Sequence, residues 1–204
     1  MTTAILGLGN MGKGLAQRLA GKTDLILGVR DSAAAADFAK TVKADVASYQ
    51  DAVAKADIVV LALPYDLALD AARTLPLAGK VVVDMTNPLK PDYSGMSLGF
   101  TTSAAEEIAK LATGAKVVKA FNTVFAALFA KPVADTKKVA VFIAGDDETA
   151  VNAVADLTEQ AGFLPERCGG LDAARLIEPV GMLNIRLGFG LGKGVNVAPV
   201  WIAV

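Results

Sequence analysis

Two rhythms of apolar residues alternate along the chain. Short, nearly unbroken runs such as Ala4-Ile5-Leu6 and Ile58-Val59-Val60-Leu61 are each followed by a longer stretch with helical spacing, as in Leu15 and Leu19 with Ala16 and Ala20. An unbroken apolar run marks a strand buried on both faces, and helical stretches between such runs are the crossovers of a parallel sheet. The pattern predicts strands near residues 3–8, 24–29, 43–46, 57–62, 79–84, 115–119 and 138–144, with a short one at 162–167. Helices fill 10–21, 31–40, 48–55, 65–74, 103–112, 147–161 and 172–188. Ser103 with Glu106 reads as a capping box, and Asp146 and Asp147 can satisfy the free N–H groups of the helix that follows them. The expected fold is α/β: a Rossmann-like, doubly wound, mostly parallel sheet with a small C-terminal helical segment. The sheet-bearing domain is expected over residues 1–167, with 168–204 a small C-terminal segment that packs over it and touches a second subunit.

Composition narrows the partners. The 20 basic and 21 acidic residues leave a net charge of -1, which gives no electrostatic footprint for nucleic acid. Mean hydropathy is high at +0.46, yet charges interrupt every long apolar run, so no membrane span is expected and the surplus goes to a core and a homodimer contact. Met1 leads almost directly into the first strand, and the expected compartment is the cytoplasm. Cys168, the single cysteine, is expected to be structural. With no histidine in the chain, an imidazole general base is excluded and a metal site is not expected.

The first strand breaks into Gly7-Leu8-Gly9-Asn10-Met11-Gly12, the spacing of a dinucleotide fingerprint. Gly7 permits a tight turn, Gly9 lets the backbone approach a pyrophosphate, and Gly12 lets the next helix lie close to the sheet. That helix would aim free N–H groups and its positive end at phosphates. The second strand ends Val29-Arg30-Asp31-Ser32. Arg30 stands where a guanidinium grips a 2′-phosphate, with Ser32 as a further phosphate contact, so NADP is favoured. Asp31 is either a ribose acid, which would suit NAD, or the N-cap of the following helix. Leu63-Pro64-Tyr65 and Thr86-Asn87-Pro88 lie at the carboxyl ends of two further strands and should border the nicotinamide. From Pro88 to Thr102 runs a long aperiodic loop, read as a lid or a surface excursion.

The fingerprint, the turn at Val29-Arg30, Pro64-Tyr65, Thr102-Ser103-Ala104-Ala105-Glu106, Val118-Lys119-Ala120-Phe121-Asn122-Thr123, Gly145-Asp146-Asp147 and Arg175-Leu176-Ile177-Glu178-Pro179 together resemble the coenzyme F420-dependent NADP oxidoreductase family. The resemblance implies NADP on a Rossmann-like domain, cofactor contacts from Gly9, Asn10, Met11, Arg30, Pro64 and Asn87, and a pocket for a deazaflavin completed by the C-terminal part. Phe121, Asn122 and Thr123 are the candidate substrate-pocket residues, with Phe100, Phe125, Leu183 and Phe189 as further apolar walls or core. Hydride exchange between nicotinamide and coenzyme F420 or a flavin needs two rings held face to face and little acid or base, which suits this histidine-free chain. Two alternatives stay open. One is reduction of a small carbonyl or imine with Lys119 and Asn122 in catalytic roles, although a snorkelling or hydrogen-bonded structural Lys119 is the safer reading. The other is a non-catalytic NADP(H) sensor.

Overall fold

A computed structural model describes residues 1–201. Its elements run β1 Thr2–Leu6, α1 Asn10–Leu19, β2 Asp24–Gly28, α2 Ser32–Val42, β3 Asp45–Ala47, α3 Tyr49–Lys55, β4 Ile58–Leu61, α4 Tyr65–Thr74 and β5 Val81–Asp84. They continue α5 Ala104–Leu111, β6 Lys116–Lys119, α6 Ala126–Phe129, α7 Val133–Thr136, β7 Ala140–Gly145, α8 Glu148–Gln160, β8 Leu164–Arg167 and α9 Ala174–Ile185, followed by a π-helical turn, Arg186–Gly190. One eight-stranded sheet has the order β3-β2-β1-β4-β5-β6-β7-β8. Its first six strands form the doubly wound Rossmann arrangement, in which the chain reverses direction across the sheet between β1 and β4.

All pairings are parallel except β6 with β7. The antiparallel step follows from what lies between those strands. Residues 120–139 hold only the short helices α6 and α7, not a full crossover helix, so the chain re-enters the sheet from the opposite end. These two helices escape a sequence reading because four residues cannot display a helical period.

β1, β4 and β5 are buried from end to end or nearly so, as their unbroken apolar runs require. Ile5, Leu27 and Val60 join α1, α6 and α8 residues in one core, while Leu6, Val59 and Val82 join α3, α4 and α5 residues in the other. Each fully buried side chain of this kind contributes about 1.5–3 kcal/mol. Buried Arg18 ties the first layer together: its guanidinium donates to the carbonyls of Leu128, Phe129, Lys131 and Ala161 and to Thr136 Oγ1.

The caps fall partly as predicted. Ser103 Oγ accepts from Glu106 N at 3.2 Å, but the Glu106 carboxylate accepts from Ser103 Oγ and from Arg175 on α9 instead of closing a reciprocal box. Asp147 caps α8 through Ala150 N, whereas Asp146 accepts from Leu171 N and so anchors the chain entering α9. Half-buried Cys168 has its thiol pushed up by desolvation, which favours the neutral form. No helix among the described residues is long and apolar enough to cross a membrane.

A candidate dinucleotide trough and acceptor cavity

The carboxyl ends of β1 and β4 part at the switch point, and there the loops open into three adjoining cavities. The outermost, about 150 Å³, is lined by Arg30, Tyr49, Leu63 and Leu67, among others. The middle one, about 240 Å³, shares Leu63 with it and adds Gly9, Asn10, Met11, Pro64 and Met85. The widest, about 900 Å³, shares Asn10, Met11 and Met85 and continues past Asn87, Asn122, Thr123 and Asn184 to Phe125 and Phe189. Shared lining residues set them side by side in a row from Arg30 to the C-terminal helix.

The fingerprint glycines divide by what requires them. Gly7 has φ +97°, and a Cβ there would lie 2.6 Å from Ala62 O. A Cβ on Gly12 would collide with the carbonyl oxygen of Gly7. Both are demanded by the protein itself. Around Gly9, by contrast, a Cβ would meet nothing within 4 Å, and its φ of -69° suits any residue. The folded chain has room for a side chain at this point, and a phosphate lying against the backbone would not.

Helix capping gives the same indication. α2, α3, α5 and α8 begin with side-chain caps from Asp31, Ser48, Ser103 and Asp147, whereas α1, like α4, α6, α7 and α9, has none; its N-cap is Gly9 and its first turn holds no acidic residue. Its first N–H groups are left to an anion from outside. Asp31 accepts from Ala33 N and Ala34 N, the structural role open to it, and Ser32 begins α2. Val29 is held by the carbonyl of Ala47, and exposed Arg30 has no ion pair among the described residues.

Past the switch point, Pro64 precedes α4, which also lacks a side-chain cap. The Tyr65 phenol is pushed up to about 12 by burial, with Glu107, Glu178 and Asp84 adding to the shift, so it stays protonated and able to donate. Asn87 and Asn122 clasp each other: Asn87 Nδ2 donates to Asn122 O at 2.9 Å, and Asn122 Nδ2 donates to Asn87 Oδ1 at 3.0 Å. Asn184 on α9 donates to Thr123 O. Pro88 and Thr86 are buried behind this floor. Phe121 is held at φ +63°, a left-handed conformation costly for an aromatic residue. Its ring turns inward, packing with Phe129 and Phe163, so its neighbours Asn122 and Thr123 line the cavity and its own side chain belongs to the core. Phe125 and Phe189 line the cavity too, while Phe100 and Leu183 are exposed elsewhere.

Beneath the floor lies a group that sequence reasoning did not assemble. Fully buried Lys119, at the end of β6, ion-pairs with Asp84 and with Glu178 of α9, both at 2.8 Å, and donates to Thr86 O at 2.6 Å. Glu178 also accepts from Ala104 N and Ala105 N at the start of α5. Burial pushes the Glu178 carboxyl up, and the Lys119 ammonium opposes that shift. The lysine is hydrogen-bonded, as the safer reading held, and does not snorkel. All its donors are committed to protein acceptors, which removes it from a catalytic role beside Asn122. No sequence spacing links residues 84, 119 and 178; only the topology does.

A family model described as NADP oxidoreductase, coenzyme F420-dependent, matches residues 2–88. The F420-dependent NADP reductase of Methanocaldococcus jannaschii is 32% identical, covering 97% of this chain and 98% of its own. Metalloreductase STEAP3 of Rattus norvegicus is also 32% identical, over 86% of this chain but only 35% of its own. Among solved structures, a candidate F420-dependent NADP reductase of Arthrobacter sp. FB24 superposes with a TM-score of 0.85 at 30% identity and complete mutual coverage. Carrying the fingerprint, the sheet order and a full-length relative at this identity, the chain belongs to the coenzyme F420-dependent NADP oxidoreductase family.

Proposed function

We propose that the chain transfers a hydride between NADP(H) and coenzyme F420 or a flavin-type acceptor. The observation that carries this reading is the row of adjoining cavities, with α1 and Arg30, unpaired among the described residues, at one end and a wide, largely apolar cavity at Phe125 and Phe189 at the other. When bound there, the nicotinamide supplies the hydride chemistry, and the chain supplies position and exclusion of water.

Gly9, Asn10 and Met11 hold the pyrophosphate with main-chain N–H groups, and Gly7, Leu8 and Gly12 shape that turn. Arg30 takes the 2′-phosphate, flanked by Val29, Asp31 and Ser32. Leu63, Pro64 and Tyr65 border one side of the nicotinamide half and Asn87 the other, with Thr86 and Pro88 buried behind Asn87 as its support. Asn122 and Thr123 form the acceptor floor. Among the described residues the cavity lining holds no carboxylate or cysteine, and its titratable side chains are Lys13 and Tyr93. In this reading residues 1–167 hold the nucleotide and 168–204 complete the acceptor side, although 202–204 lie outside the described residues. The chain acts as a cytoplasmic homodimer, for which exposed Leu176 and Leu183, seven residues apart on α9, offer an apolar face.

Anaerobic oxidation of NADPH with coenzyme F420, riboflavin 5′-phosphate, riboflavin and a small cyclic imine, assayed side by side, tests the reading. Turnover with the deazaflavin or a flavin and none with the imine is the expected result. Turnover with the imine alone would overturn it.

A further inference from the structure

Two exposed aromatic side chains, Tyr93 and Phe189, line the same wide cavity from opposite parts of the chain, each with about 70% of its surface open. Neither position is accidental. Tyr93 sits at the tip of a small hairpin within the long loop, pinned by the Leu89–Met96 bridge and by Lys90 N to Gly95 O and Ser97 N to Pro88 O. It is held there at φ +56°, which costs a bulky residue energy, while Asp92 braces the turn by accepting from Ser94 N. Phe189 belongs to the π-helical turn after α9 and stands edge-on to Phe125, with ring centroids 5.5 Å apart. The turn can press this close because residue 188 is glycine: a Cβ there would come within 2.7 Å of the Phe125 ring.

A strained backbone and a π-turn thus each hold an aromatic ring open to the cavity, where burial would favour turning it inward. We propose that Tyr93 and Phe189 are the acceptor-selecting residues, stacking on a planar polycyclic ring so that flat tricyclic acceptors are preferred over small carbonyl or imine compounds. The proposal rests on the hydride-transfer reading above. Aromatic faces favour offset stacking on extended π-systems, and a small imine offers too little surface to bridge the mouth.

The test uses Tyr93→Leu and Phe189→Leu, which keep apolar bulk and remove the ring, with Tyr93→Phe and Phe189→Tyr as conservative partners. Riboflavin 5′-phosphate is titrated in the presence of NADP⁺ and its fluorescence followed alongside NADPH turnover. Each leucine variant is expected to raise the flavin KM about tenfold and to relieve the quenching of bound flavin, leaving NADPH affinity unchanged. The conservative variants should restore both readouts. Wild-type turnover with flavin that the leucine variants match, with equal quenching, would overturn this inference alone. A wild-type protein that neither binds nor reduces any flavin or deazaflavin would overturn the proposed function together with it.

Discussion

The two ends of the row of cavities are made differently. The nucleotide end is built from backbone within one βαβ unit: a turn with φ +97° at Gly7, an unobstructed Gly9 and the uncapped start of α1. The proposed acceptor end is built from side chains of the loops after β5 and β6, of α9 and of the turn that follows it, held together by the Asn87–Asn122 clasp above the buried Asp84–Lys119–Glu178 group. A backbone site needs few residues at fixed spacing. An assembled side-chain site needs the whole fold.

That contrast decides what can be read from sequence. The glycine spacing and Arg30 at the end of β2 are local signals, and the proposed nucleotide end rests on them without the rest of the fold. The pairing of Lys119 with Glu178 spans 59 positions and depends on α9 packing back against the start of α5 and against β7, for which no local pattern exists. Phe121 shows the converse failure. Its neighbours do face the cavity, but a left-handed backbone turns its own ring into the core, which residue type alone cannot convey.

The largest effect is expected from Lys119→Met. It strands Asp84 and Glu178 in the interior without a cation, and breaking a buried pair in this way costs about 3–5 kcal/mol. Urea denaturation should show the midpoint falling with the slope unchanged. An unaltered midpoint would mean that the acceptor end does not depend on this group.

Arg30→Gln acts on the other end and should leave stability alone. Loss of charge-assisted hydrogen bonds to a 2′-phosphate, worth about 1.5–3 kcal/mol, should weaken NADPH by tenfold or more while NADH use is unaffected. Equal losses for both coenzymes would remove Arg30 from coenzyme selection.

The smallest effect concerns the rim, where Arg175 on α9 grips Glu106 on α5. The Arg175 hydrogen bonds, helped by Ser103, hold the Glu106 carboxyl below its ordinary value of 4.5. A depressed carboxylate lends stability above its unfolded pKa and loses it as pH falls through the folded one. Glu106→Gln should therefore lower the melting temperature slightly at neutral pH and converge with wild type in acid. The effect stays small because Arg175 is more than a third exposed and water screens the pair. A difference that persists undiminished at low pH would contradict this assignment.

The central claim is that Gly9 is glycine for the sake of a bound pyrophosphate and not for the fold. Isothermal titration of NADP⁺ into Gly9→Ala, with its thermal melt recorded beside wild type and Gly12→Ala, tests it most directly. The account predicts that Gly9→Ala melts like wild type but binds NADP⁺ at least about tenfold more weakly, whereas Gly12→Ala loses stability as well. Wild-type affinity in Gly9→Ala, or a loss of affinity matched by a loss of stability, would contradict it.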